Sequence, residues 1–180
     1  MPHASPPFPF ALRSVATRVL APLALLLPLS LAACAAGVPS AETAMLGKPV
    51  PVTLARDDGA PAPIPVPGAR SVVLDFWSPT CAPCKVTIPA VLAKRAEIEA
   101  KGAVHVLVCV LEKDESIEDA RAVLSLWGIN EPFLVDRDGA MLAKVGARDV
   151  PAFAIIDSAG VLQWVAPDGV TIKDVLAAIP

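Results

Sequence analysis

The chain has 180 residues, with 18 acidic and 15 basic side chains and a formal net charge of −3 at pH 7. This mild acidity argues against nucleic acid as a partner, because nucleic-acid-binding surfaces are typically basic. The length suits one domain with a substantial core. The four cysteines, Cys34, Cys81, Cys84 and Cys109, are the first candidates for chemistry.

The first 33 residues have the features of an export signal. Arg13 and Arg18 are the charged residues of this stretch, and a mostly apolar run of 15 residues follows over 19–33. A transmembrane helix needs roughly 20 residues, whereas a basic segment before a short apolar run is typical of a secretory signal. Removing residues 1–33 changes the net charge from −3 to −5.

The apolar run ends in Leu31-Ala32-Ala33-Cys34, which resembles the cleavage site of bacterial lipoprotein signals. The resemblance implies that Cys34 becomes a lipidated N-terminus in the bilayer, with 34–48 as a tether. The domain would then lie on the periplasmic side of a bacterial membrane, where disulfides persist. Ordinary cleavage within Ala33-Cys34-Ala35 and an uncleaved anchor are the alternatives.

Six prolines mark residues 49–67. Two short extended pieces, 50–54 and 64–66, flank the turn signal Asp57-Asp58-Gly59 and predict a β-hairpin. Because proline cannot donate a backbone hydrogen bond, we expect both to be edge strands. A proline-rich linker is the alternative interpretation.

Strand and helix patterns alternate from residue 71 onward. A strand at 72–77 is followed by a helix over 82–101, kinked at Pro89, and by a nearly continuous apolar strand at 104–111. The remaining predicted elements are a helix at 116–127, a strand at 133–135, a short helix at 141–145, a hairpin of 153–157 and 161–165, and a helix at 172–179. A βαβ unit followed by a hairpin and a helix predicts an α/β fold with a mixed central sheet flanked by helices.

The motif Cys81-Ala82-Pro83-Cys84 lies between the strand at 72–77 and the helix that follows. Two thiols one helical turn apart can form a disulfide that closes a small ring. Unpaired N–H groups and the helix dipole favour a thiolate at the helix start, which selects Cys81 as the nucleophile. A structural disulfide or half of a zinc site are the alternatives, but zinc requires two further ligands. We therefore expect redox catalysis and no metal.

Asp75 interrupts an otherwise apolar strand. Burial of its carboxyl should raise the pKa, which would let it exchange a proton with Cys84, through water. The alternative is a carboxylate at a solvent-facing edge. We expect Cys109 to be a buried small hydrophobe and His105, in the same strand, to be structural.

Residues 46–180 resemble the thioredoxin superfamily, and within it the TlpA-like extracytoplasmic branch. The segment from Asp75 to Lys85, the proline at 89 and the pair Val150-Pro151 match in order and spacing. The proline-rich hairpin and a central insert with its own helix and strand are typical of the TlpA-like branch, and Ser-Pro-Thr-Cys is similar to MauD. The resemblance implies a thioredoxin-like fold with an N-terminal β-hairpin and a central αβ insert over 49–180. It also implies a cis bond before Pro151.

The same resemblance implies a thiol–disulfide oxidoreductase whose only redox group is the Cys81–Cys84 pair. Trp77, Thr80, Val150 and Pro151 would contact clients, which are exported protein thiols or disulfides, and a membrane partner would supply electrons. The relatives are usually reductants in cytochrome c maturation, or in enzyme maturation for MauD-like proteins. Thr80 stands where most relatives have Trp, and Ala152 stands where many have Thr. These differences leave the preferred client open.

Two other functions remain open at the level of sequence. Copper-delivery relatives with the same fold place three residues between their cysteines and have a downstream His, whereas this chain places two between and has no His after His105. The segment Pro79-Thr80-Cys81 is also similar to peroxiredoxins. The second thiol, one turn on at Cys84, argues against a peroxidase.

Overall fold

The computed structural model describes residues 45–50 and 52–180. Its strands are β1 (Val52–Arg56), β2 (Pro61–Ile64), β3 (Ser71–Trp77), β4 (Ala103–Leu111), β5 (Phe133–Arg137), β6 (Ala152–Asp157) and β7 (Leu162–Val165). Its helices are α1 (Cys84–Leu92), α2 (Arg95–Ala100), α3 (Ile117–Leu126), α4 (Ala140–Val145) and α5 (Ile172–Ala178).

The strands form one mixed sheet in the order β2-β1-β5-β4-β3-β6-β7. β3, β4 and β5 are parallel to one another, and the other neighbouring pairs are antiparallel. The parallel crossovers are made by helices, as the alternating sequence pattern predicts. The predicted α/β class with a mixed, helix-flanked sheet is confirmed.

β3 is the centre of the core, because all seven of its residues are buried. Alternate side chains face opposite sides of a strand, so Val72, Leu74 and Phe76 pack on the face covered by α4 and the N-terminal hairpin. Val73 and Trp77 point to the other face, where α1, α2, α3 and α5 contribute side chains. Asp75 shares that second face.

The predicted single helix over 82–101 is wrong, because two helices occupy this segment. α1 continues through Pro89 and ends at Leu92, and Lys94 N–H closes a tight turn onto Val91 O at 2.9 Å. Such an i→i−3 bond overwinds the chain and changes the helical phase. Apolar spacing alone does not reveal this break, since Val91 and Ile98 on either side of it are both buried.

The predicted hairpin is confirmed, with Val52 paired to Ile64 and Ala55 to Pro61. Gly59, at φ +87°, donates its N–H to Arg56 O and closes the predicted turn. The prediction that both strands are edges is wrong for β1, which lies between β2 and β5. Its prolines precede the strand, so the N–H groups of β1 remain able to pair on both sides.

The ordered domain begins before residue 49. Gly47 N–H donates to Leu162 O, and Leu162 N–H donates to Lys48 O, so the last residues of the predicted tether lie against β7. Val50 is buried in the core. Cys34 and the predicted signal at 1–33 lie outside the described residues. Among residues 45–50 and 52–180, no helix has the length and apolar character needed to cross a bilayer.

Asp136, near the end of β5, anchors α4 to the sheet. Its buried carboxylate accepts the N–H groups of Met141 at 2.8 Å and Leu142 at 2.9 Å. Asp136→Ala should therefore lower the free energy of unfolding by about 2–4 kcal/mol, since hydrogen bonds to charged groups contribute ~1.5–3 kcal/mol each. Urea unfolding of the oxidised protein measures this loss.

Asp114→Ala is the matched control, because it removes the same charge from an exposed loop position. It should change stability by no more than about 0.5 kcal/mol. Similar losses in the two variants would contradict the anchoring role of Asp136.

Candidate redox site

A disulfide joins Cys81 and Cys84 in the turn between β3 and α1. Cys81 N–H donates to Ser78 O at 3.1 Å, and Cys84 N–H donates to Cys81 O at 3.1 Å. Pro83 already has helical angles and serves as the N-cap of α1, whose first residue is Cys84. The helix therefore begins at the second cysteine, slightly later than predicted, and both cysteines sit at its start.

The two sulfurs have unequal surroundings. Cys81 is 6% exposed, whereas Cys84 is fully buried. The N–H of Cys84 also lies 3.2 Å from Cys81 Sγ, in position to donate to it. A backbone donor at the helix start stabilises negative charge on sulfur. Both features support Cys81 as the nucleophile and Cys84 as the thiol that resolves its adducts.

The loop before β6 meets the disulfide. The Val150–Pro151 bond is cis, as the resemblance implies, and so is Ile64–Pro65, which the sequence did not reveal. Val150 is partly buried against the core cluster that contains both cysteines. A cleft of about 510 Å³ runs beside this loop, lined by Thr87, Pro151, Asp149 and others. The structure thus brings Val150 and Pro151 together with the cysteines.

The other two predicted client-binding residues differ in exposure. Thr80 is exposed immediately before Cys81, and its hydroxyl lies 3.2 Å from that of Ser78. Trp77 is fully buried, with ring centroids 5.8 Å from Trp127 and 5.7 Å from Phe133 in edge-on contacts. Trp77 therefore packs beneath the active-site turn, in the same core cluster as both cysteines. Because it is buried, it can affect client binding only through the position of that turn.

Asp75 is fully buried in the middle of β3. Its Oδ2 lies 3.0 Å from Nε2 of His105 in β4, and its Oδ1 has no hydrogen-bond partner among the described residues. Burial raises the pKa of the Asp75 carboxyl, and the hydrogen bond and charge of His105 oppose that rise. The alternative of a solvent-facing carboxylate is wrong, because neighbouring strands cover both edges of β3.

Cys109 is buried opposite Trp77 in the strand register and is not part of the disulfide. Burial is the main cause that raises the pKa of its thiol, Glu115 adds to the rise, and Arg137 opposes it. Cys109 is therefore a buried packing residue, as predicted. Within the described ranges, no three side chains of the His, Cys, Asp and Glu types form a cluster that could hold a metal.

Two features of the site could not be predicted from the sequence: the exposure of Val86 and the contact of His105 with Asp75. Val86 fits the apolar spacing of α1, yet it is 73% exposed, because the buried stripe of the helix is Cys84, Ile88 and Val91. An exposed apolar side chain two residues from the disulfide is available to a client. His105, which the sequence predicts to be structural, contacts Asp75 with its ring. Because the two residues lie on different strands, no local pattern signals the contact.

Comparison with known proteins identifies relatives of this fold and site. The thioredoxin-like protein YneN of Bacillus subtilis is 31% identical over 94 residues, which cover 52% of this chain and 54% of YneN. The chain thus spans about half the length of that relative. The thiol-disulfide oxidoreductase ResA of Bacillus thuringiensis is 23% identical over 120 residues, covering 66% of this chain and 68% of ResA.

A structure of a putative thiol:disulfide interchange protein DsbE from Chlorobium tepidum superimposes with a TM-score of 0.60. It is 23% identical and covers 76% of this chain and 98% of its own. This likeness establishes the thioredoxin-like fold. The Redoxin family model matches residues 45–179. The chain therefore belongs to the Redoxin family, as a TlpA-like member of the thioredoxin superfamily.

Proposed function

We propose that the protein is a thiol–disulfide oxidoreductase that acts on protein thiols. The observation that carries the proposal is the Cys81–Cys84 disulfide at a helix start, with Cys81 6% exposed and Cys84 fully buried. The similarity to ResA, a thiol-disulfide oxidoreductase, supports it. The cis-proline loop and the cleft beside it supply a place for an extended client segment.

The reaction with a client disulfide proceeds by two exchanges. The Cys81 thiolate attacks one client sulfur, a mixed disulfide forms, and the other client sulfur leaves as a thiolate that takes a proton from solvent. The Cys84 thiol then loses its proton and attacks Cys81, which releases the second client thiolate. Asp75 is the acceptor of the Cys84 proton, through a water that its unpaired Oδ1 would hold.

The finer assignment rests on the sequence. We infer an exported protein anchored through a lipid on Cys34, with the domain on the periplasmic side and a membrane partner as electron donor. Net reduction of clients, in cytochrome c maturation or MauD-like enzyme maturation, follows from the TlpA-like resemblance. Thr80 precedes Cys81, Val86 is exposed two residues after Cys84, and Val150, next to Pro151, packs on the cluster of both cysteines. These residues would select the client.

Cys84→Ser should trap clients on Cys81, because the resolving thiol is then absent. We expect mixed disulfides between this variant and exported proteins, seen as adducts on non-reducing gels and identified by mass spectrometry. Cys81→Ser should yield none, since the more accessible of the two cysteines is gone and Cys84 is fully buried.

Cys109→Ser in the Cys84→Ser background is the matched control, and it should retain every adduct. Equal trapping by the Cys81→Ser variant would overturn the assignment of the nucleophile.

A reductant should have a low reduction potential. We expect the Cys81–Cys84 couple to lie nearer to about −270 mV, the value for thioredoxin, than to about −120 mV, the value for the oxidant DsbA. Equilibration with glutathione and dithiothreitol buffers, followed by thiol alkylation, measures it. A potential near the DsbA value would leave the oxidoreductase assignment intact and reverse its direction.

Asp75→Asn should stabilise the oxidised protein, and more so as the pH rises. The native state binds the Asp75 proton more tightly than the unfolded state does, because burial raises its pKa above the ordinary 3.8. The stability of the wild type is therefore highest below that ordinary value and falls as the pH rises through the raised pKa. Because Asn cannot ionise, the stability of the Asp75→Asn variant does not fall in this way.

Urea unfolding at several values between about pH 4 and pH 8 checks the trend. Asp114→Asn, at an exposed position, should show a flat difference from the wild type. If Asp75→Asn lost stability relative to the wild type with rising pH, His105 would outweigh burial in favouring the ionised carboxylate, which would contradict a raised pKa for Asp75.

A further inference from the structure

A cavity of about 320 Å³ occupies a gap in the sheet. β5 begins at Phe133, opposite Leu107, so the first residues of β4 have no strand beside them on that side in the described structure. The hairpin prolines Pro61 and Pro63 line the cavity, together with Arg95 and Glu131. This gap lies at the start of the parallel strands, whereas the disulfide follows the carboxyl end of β3.

His105 forms one wall of this cavity. Its side chain is only 3% exposed, and its Nε2 lies 3.0 Å from Asp75 Oδ2. A single imidazole ring therefore separates the buried carboxyl from the cavity. Imidazole can accept a proton on one nitrogen and release one from the other, and it does so near neutral pH.

Asp75 also faces the redox site. It lies on the same side of β3 as Trp77, which packs in one cluster with Cys81 and Cys84. Its neighbour in the register, Leu107, belongs to that same cluster. One carboxyl oxygen is thus held by His105, and Oδ1 has no hydrogen-bond partner among the described residues, which leaves it free to take a proton.

We propose that His105 is a positioning and proton-transfer residue that carries the Cys84 proton from Asp75 to the cavity at the far end of the sheet. Asp75 pairs with Leu107 in the register, so the step to His105 runs two residues back along β4, about 7 Å. This proposal rests on the proposed function and extends the role that it gives to Asp75.

The proton balance is complete without a further reactant. As Cys84 attacks the Cys81 sulfur, its thiol proton passes to Asp75, the Cys84–Cys81 bond forms and the bond from Cys81 to the client breaks. The departing client thiolate takes the electron pair and later a proton from solvent. Asp75 gives its proton to His105, which releases one to water in the cavity. Asp75 and His105 return to their starting protonation, while the Cys81–Cys84 dithiol is oxidised by two electrons to the disulfide and the client disulfide is reduced to two thiols.

The Cys84 proton needs a path to the cavity beside His105, because the surface around the two cysteines gives it little access to solvent. Cys84 has no exposed surface even in the free protein, and Cys81 is only 6% exposed. A client bound through Cys81 covers the little that remains. The charged groups that share the cavity with His105 are Arg95, Glu131 and Arg56, of which Arg95 and Glu131 pair with each other at 2.7 Å. This ion pair neutralises most of the local charge that would bias the imidazole.

His105→Gln tests the relay, because glutamine can still donate a hydrogen bond to Asp75 but cannot carry a proton. Reduced full-length protein is mixed with insulin, a disulfide-bonded probe, and acid-quenched samples are analysed by mass spectrometry for the mixed disulfide. We expect its resolution to slow about tenfold, less than the ~10²–10⁴ contributed by a general base, since Asp75 remains. The initial attack by Cys81 should keep its rate, and the pH profile of resolution should change shape.

Val104→Thr is the matched control, because it makes a polar change next to His105 on the opposite side of β4 and should leave both rates unchanged. Asp75→Asn removes the proposed general base, and its rate of resolution is the reference against which His105→Gln is compared. If Asp75→Asn slows resolution and His105→Gln does not, the relay is wrong and the role of Asp75 stands. If neither slows it, that part of the proposed function fails as well.

Equal slowing of attack and resolution in His105→Gln would indicate a structural defect and overturn the relay. If the Gln variant loses its far-ultraviolet circular dichroism, His105→Ala is assayed with and without imidazole, which the enlarged cavity can admit. Restoration of the resolution rate by imidazole supports the relay, and a rate unaffected by imidazole overturns it.

Discussion

The packing of α1 on β3 is the interaction on which the rest of the structure depends. Cys84, Ile88 and Val91 form the buried stripe of the helix, and each fully buried side chain of this kind contributes about 1.5–3 kcal/mol. Because Cys84 itself belongs to that stripe, the packing that stabilises the domain also sequesters the resolving sulfur. Cys81, one turn earlier, is left at the rim of the same contact. The unequal exposure of the two thiols is thus a consequence of core packing.

This arrangement forces a polar group into the core. The face of β3 that receives α1 carries Asp75 between Val73 and Trp77. An apolar residue there would be more stable, since a buried carboxyl resists ionisation and one of its oxygens has no partner in the described structure. His105 offsets part of that penalty from the neighbouring strand. A group that opposes stability and faces a reactive thiol is typical of a functional site.

The sequence is informative wherever local signals decide the structure. The apolar run of β3, the Asp57-Asp58-Gly59 turn and the Cys-x-x-Cys spacing depend on adjacent residues, and the structure confirms the elements that they predict. Three features depend on tertiary placement and could not be read locally. They are the break after Leu92, the interior position of β1, and the contact of Asp75 with His105, which are 30 residues apart. Val86 shows the same limit, because helical spacing offers two apolar stripes and only packing decides which is buried.

Chemistry and recognition are separated by depth in this domain. Cys84, Asp75 and His105, to which we assign the thiol chemistry, lie beneath the surface and are fixed by the sheet and α1. Thr80, Val86 and Pro151, which we propose as client contacts, lie on a turn, a helix surface and a loop. A substitution in the second set alters an exposed contact and leaves the core packing intact, whereas one in the first alters a buried polar pair. The sequence departs from the thioredoxin pattern at Thr80, which is exposed beside Cys81, and at Ala152, which is buried next to Pro151. We propose that these positions bear on which protein is recognised, while the Cys81–Cys84 pair retains the exchange reaction.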